Sequence, residues 1–220
     1  MTIIDGVFDV IKILIGAGIA LFSAYLIKQG QREEDQIAAG NLAMMTIAVM
    51  LSAFHSYRVA WTKNQDAVAS AAPKTPRWLQ HQPMYVQLDK SLKLDFPSLA
   101  FLFGKRTAVV MNAVFEAQMA YDYLASMHEL HYADMNSVQD RIGELQLQAG
   151  EHEKDIDFNF IEANIPPHLR LRIEGTSQAI ATIFLTQEPK LIDAAGALRK
   201  ALASVVGDDR IVRLTMPTGS

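Results

Sequence analysis

The chain has no cysteine among its 220 residues. Disulfides, thiolate catalysis, cysteine-ligated zinc and iron–sulfur clusters are therefore excluded. Charge is scarce as well: Asp, Glu, Lys and Arg make up 20% of the residues, below the usual quarter, and aromatic residues only 8%. A net charge of -4 and a pI near 5.8 lack the basic surplus of a sequence-independent nucleic-acid footprint, so no nucleic-acid partner is predicted. Alternating apolar and polar strands are missing, as are internal repeats and low-complexity tracts. The predicted fold class is all-α.

What the chain does have is apolar residues. Half of it is hydrophobic and the mean hydropathy is +0.10, high for a soluble enzyme of this size. Much of the excess lies before residue 62. The stretch "VIKILIGAGIALFSAYLIKQ" at 10–29 holds fifteen uncharged residues, 13–27, bracketed by Lys12 and Lys28. At 1.5 Å per residue these cover about 22 Å of a hydrocarbon layer roughly 30 Å thick. Lysine stems lie along apolar surface while the ammonium reaches the headgroups, which closes the gap. The stretch is read as a transmembrane anchor, carried by Ile13, Leu14, Ile15, Ile19, Leu21, Phe22, Leu26 and Ile27 between the two lysines. A cleavable signal peptide should open on a basic region, whereas Asp5 and Asp9 precede Lys12 here. A core helix of a soluble protein is the other competing reading.

A second stretch, "QIAAGNLAMMTIAVMLSAFHSY" at 36–57, is uncharged for twenty-two residues. Length permits a second span, and with it a two-helix hairpin. Met44, Ile47, Leu51 and Phe54 also form one helical stripe and Leu42, Met45 and Val49 an adjacent one, as in a helix buried in a bundle. Both alternatives stay open. Either places the bulk of the chain in the cytoplasm, by the positions of Lys28 and Arg32 for one span or of Arg58, Lys63, Lys74 and Arg77 for two.

The expected organisation is an anchor over 1–35, a juxtamembrane helix or second span over 36–68, a proline-containing linker over 69–93, a helical domain over 94–206 and a tail over 207–220. In "LDFPSLAFLF" Asp95 is placed to cap a short helix with Pro97 in its first turn and Leu99, Leu102 and Phe103 inward. A long helix is predicted from Lys105 to about Ala133, with Val109, Met111, Val114, Phe115, Met119, Leu124 and Met127 on more than one face. A new helix is expected at Asn136 or Ser137. Another starts at Pro166–Pro167 with Leu169, Ile173, Ile180, Ile183 and Phe184. A last one starts at Pro189 with Leu191, Ile192, Ala195, Leu198, Leu202 and Val205, and Gly207 stops it.

The inventory of chemistry is empty. "HELHYAD" at 128–134 places His128 and His131 at i and i+3, one residue short of the H-E-x-x-H of a zinc protease, and is read as a solvated or interfacial polar turn. No E-x-x-H for a di-iron bundle occurs. "FGKRT" lacks the first glycine and the Ser or Thr of a phosphate loop, and no G-x-S-x-G or S-x-x-K is present. No catalytic residue, metal ligand or cofactor is predicted, and the chain is expected not to be an enzyme. Arg77, Lys90, Lys93, Lys105 and Arg106 are the candidate contacts to anionic lipid headgroups.

The order of parts resembles a loosely defined group of uncharacterised bacterial inner-membrane proteins with an N-terminal span and an all-helical cytoplasmic domain. The residues that carry it are "LDFPSLAFLF" at 94–103, "VVMNAVFEAQMAYDYLASMHEL" at 109–130 and "TQEPKL" at 186–191. The architecture alone is also similar to membrane-spanning effectors of anti-phage systems, some retron effectors among them. The bracketed apolar segment, the multi-face apolar helices and the empty catalytic inventory lead to the expectation of a scaffold or interaction protein whose partners are the bilayer and a protein, or a second copy of itself. The second resemblance implies an effector that oligomerises through the N-terminal apolar helices and permeabilises the membrane.

Overall fold

The computed structural model describes residues 3–71, 76–79, 88–103, 107–149 and 158–212, with the side chains of 3–20, 71, 77, 148, 149 and 158 outside that description. Four α-helices carry the described chain: α1 (Ile3–Ala71), α2 (Ala108–Ala149), α3 (Phe158–Asn164) and α4 (Pro167–Val206). Short 3₁₀ turns stand at Arg77–Leu79, Pro97–Leu102 and Asp208–Arg210. Among the described residues there is no strand, as the sequence predicted.

The first difference from expectation is the length of α1, which is 69 residues without interruption, about 100 Å of helix. A hairpin needs a turn between the two apolar stretches, and residues 28–36 are helical instead. The segment "KQGQREEDQ" explains this: its only breaker is Gly30, and Gln, Arg and Glu are good helix formers. The second stretch then enters the bundle. Met44, Ile47, Leu51 and Phe54 are buried, while Leu42, Met45 and Val49 of the adjacent stripe stay exposed.

Two further breaks are absent. α2 runs 42 residues through Asn136 and Ser137, a region with no Gly or Pro. Asp134, instead of competing for its own backbone, is held by Arg172, and the Ser137 hydroxyl donates to the Ala133 carbonyl at 3.0 Å inside the helix. α4 continues past Pro189 for the full 40 residues. The lost N–H bond is tolerated because Glu188 and Leu191 on either side are buried against the other helices. The ends of α4 are as predicted: Pro167 opens it, and Gly207, at φ 95°, closes it with its N–H on the Ala203 carbonyl at 3.1 Å.

α2 and α4 are antiparallel, with His131 beside Thr176 and Asp134 beside Arg172. The C-terminal half of α1 lies against them, and one apolar core joins all three. Met44, Ile47 and Phe54 from α1, Leu99 and Leu102 from the 3₁₀ turn, Val114 and Leu124 from α2, and Ile180, Leu198 and Leu202 from α4 share it, with Ile211 beyond. Buried residues of α1 from Ala43 to Trp61, of the segment from Leu88 to Leu102, of α2 from Met111 to Ala125 and of α4 from Ile180 to Val206 thus share one core. A second cluster near the other end of the bundle gathers Trp78, Met135, Val138, Ile161, Ile165 and Ile173. The amide of Gln118 pins the segment before the 3₁₀ turn, accepting from Leu94 N at 3.0 Å and donating to the Leu92 carbonyl at 3.2 Å. Asp95 gives no side-chain cap; Phe96 occupies that position, and Ser98 donates to the Asp95 carbonyl. Phe103, Val109, Phe115 and Met119, expected inside, are exposed.

Candidate membrane-anchoring helix

α1 leaves the bundle at its N-terminal end. From residue 36 onward its side chains begin to pack, whereas all of 21–35 are exposed. Leu21 is 74% and Phe22 63% exposed, and Tyr25, Leu26 and Ile27 are exposed too. A helix that shows apolar residues on every side has no stable place in water and needs an apolar surround. By length and composition the part of α1 from Leu21 to Ser70 is able to cross a membrane, its most apolar window 39% buried. The predicted anchor residues Leu21, Phe22, Leu26, Ile27 and Lys28 lie on this projecting part. Lys12, Ile13, Leu14, Ile15 and Ile19 are on the same helical backbone, their side chains outside the described residues.

The point where the anchor meets the bundle is clamped. The Asn41 amide donates to the Arg210 carbonyl at 3.0 Å and accepts from the Val212 N–H at 2.9 Å, so one side chain satisfies two backbone groups of the C-terminal segment. Glu33, a little over two turns earlier, pairs with Arg210. Gly40 lets the helices close: a Cβ there would stand 2.7 Å from a Leu202 methyl group. These contacts explain why an asparagine interrupts an apolar run. Asn41→Ala is expected to lower stability by about 1–2 kcal/mol, the effect of two lost hydrogen bonds to backbone. Hydrogen exchange at Val212 checks it: the amide should lose protection selectively.

Two of the candidate lipid contacts have described side chains. Lys90 pairs with Glu129 and Lys93 with Asp122, both acids of α2. Lys105, Arg106 and the Arg77 side chain lie outside the described residues.

The "HELHYAD" segment, read as a solvated or interfacial polar turn, is helical and lies at the interface between helices. His128, His131 and Asp134 are buried on the bundle face of α2. His128 Nδ1 and the Tyr57 hydroxyl of α1 are 3.0 Å apart. The Thr176 hydroxyl gives its hydrogen to a carbonyl of its own helix, Arg172 or Ile173, at 3.0 Å. Its oxygen is left to accept from His131 Nδ1–H at 3.1 Å, which assigns that tautomer. Arg172 grips Asp134 with two guanidinium nitrogens, and this bond holds the guanidinium pKa above its usual value. A second polar knot, missed in the sequence, joins α1 to α4: buried Glu188 meets Arg58 at 2.8 Å and His55 at 3.3 Å. Edge-to-face rings surround it, with Phe54 and Phe184 centroids 5.6 Å apart.

These groups cross-link three helices and fix their register; they line neither the surface groove between α2 and α4 nor the one at the anchor's base. Among the described residues no group of three His, Asp or Glu is placed to hold a metal ion. No family model, curated protein or solved structure matches the chain.

Proposed function

We propose that this chain is a non-enzymatic scaffold at the cytoplasmic face of the bacterial inner membrane, a helical interaction module held by a single span. The observation that carries the reading is the division of labour along one unbroken helix: α1 exposes apolar residues at 21–27 and buries Met44, Ile47, Phe54 and Tyr57 in the bundle. The bilayer is the surround that the first part needs. Lys28 and Arg32, directly after the apolar stretch, favour the cytoplasmic side for the bundle. A rigid helix then carries the bundle at a fixed distance and direction from the membrane.

The alternative, a permeabilising effector that oligomerises through both apolar stretches, requires residues 36–57 to enter lipid. That would strip Phe184 and Leu202 of their cover, Glu188 of Arg58 and His55, and the C-terminal segment of Asn41. Cell fractionation with a carbonate wash tests the anchor. The intact chain should stay with the membrane and a chain lacking residues 1–30 should be soluble and folded. An intact chain released by the wash would refute the proposal.

A further inference from the structure

α2 and α4 form an open groove of about 740 Å³ outside the bundle core. Its α2 wall carries Phe115, Met119 and Tyr123, spaced at i, i+4 and i+8 and all about half exposed. Its α4 wall is mixed: Ala179, Thr182 and Thr186 are small, and Ile183 and Gln187 stand between them. On the rims stand an acid from one helix and a base from the other, Glu116 on α2 and Lys190 on α4. Both are exposed, and neither has an ionic partner among the described residues.

The register of the two helices adds a second constraint. Asp134 of α2 bonds Arg172 of α4. Glu116 is eighteen residues back from Asp134 along α2, and Lys190 is eighteen residues on from Arg172 along α4. In an antiparallel pair this puts Glu116 and Lys190 at the same level of the bundle. A two-fold axis running along the groove would lay each copy's α2 against its partner's α4. Under that operation Met119 and Tyr123 of one copy face Thr186 and Thr182 of the other, and Glu116 meets Lys190 at equal height.

We propose that the groove is an isologous dimer interface and that its occupant is a second copy of this chain. The pairing is Met119 over the partner's Thr186 and Tyr123 over the partner's Thr182, with two reciprocal Glu116–Lys190 ion pairs. This rests on the anchored-scaffold reading in one respect: an axis along the membrane normal keeps both anchors in the same bilayer with the same orientation.

The absence of cysteine makes the test direct. Glu116→Cys and Lys190→Cys are placed on separate, differently tagged full-length copies, mixed in detergent and oxidised. The expected result is a disulfide between the two kinds of copy, at least tenfold above what either variant gives alone. In addition, Glu116→Lys should weaken dimerisation of the full chain at least tenfold by light scattering, and Lys190→Glu in the same chain should restore it. A monomeric mass at every concentration, or a dimer that forms no mixed disulfide and ignores the charge reversal, would overturn the proposal. Vesicle flotation of the same samples separates the two readings, since a monomer that floats refutes only the dimer and a dimer that does not float refutes only the anchor.

Discussion

Phe54→Ala should lower the unfolding free energy by about 3–5 kcal/mol, the usual effect of emptying a buried aromatic site. Against a total of roughly 5–15 kcal/mol for a domain, that is enough to leave a large unfolded fraction near growth temperature. Phe54 is fully buried, and its ring meets Phe184 of α4 edge-on at 5.6 Å and 82°, so the loss includes an aromatic pair as well as area. The partner experiment lies on the same helix. Val49 is 53% exposed, on the face that turns away from the bundle. Val49→Lys should change stability by no more than about 0.5 kcal/mol, whereas in a lipid-embedded helix a central lysine costs about 2.5–3.5 kcal/mol. Urea unfolding followed by tryptophan fluorescence reads both, because Trp61 and Trp78 are the two tryptophans and both are buried. The pair of variants therefore asks which solvent surrounds residues 36–57.

The second large effect is expected at the other end of α1. Ile15→Asp with Ile19→Asp places two carboxylates within the apolar stretch, at about 2.5–3.5 kcal/mol each for a helix centre. Together they should move the membrane-bound to free ratio by at least a thousandfold, since each 1.4 kcal/mol is a factor of ten. The bundle should not notice: its urea midpoint stays where it was, because the described core begins only at Ala43. Loss of membrane binding with an unchanged midpoint separates anchoring from folding. Unfolding of the bundle by the same substitutions would show that the stretch is part of the core.

Much of this architecture was legible in spacing. The stripe Met44, Ile47, Leu51, Phe54 and the set Ile173, Ile180, Ile183, Phe184 are buried as the helical period demands, and Pro167 and Gly207 bound α4 as their backbone preferences dictate. What spacing could not decide was which of two apolar stripes on one helix finds a partner. Leu42, Met45 and Val49 are as apolar as the buried row, and only the position of α4 makes them different. Local rules also overstated the breaks at Asn136 and Pro189, where tertiary packing and the Asp134–Arg172 bond hold the helices through. The polar knots were invisible for another reason. His55 and Arg58 lie more than 120 residues from Glu188 in sequence, and no motif announces a pairing made only where α1 meets α4. The histidine pair of "HELHYAD" is buried, and that burial had no local sign.

The most direct measurement of one span leading unbroken into a cytoplasmic bundle is accessibility at the two ends of the second apolar stretch. Gln31 and Lys63 are both exposed on α1, and in a chain without cysteine each can carry a single introduced one. Intact cells are treated with a membrane-impermeant thiol reagent, then permeabilised and treated again. Neither Gln31→Cys nor Lys63→Cys should label at first, and both should label after permeabilisation. Labelling of Gln31→Cys alone in intact cells would put a turn outside the membrane between two spans and contradict the continuous helix and the anchored scaffold built on it.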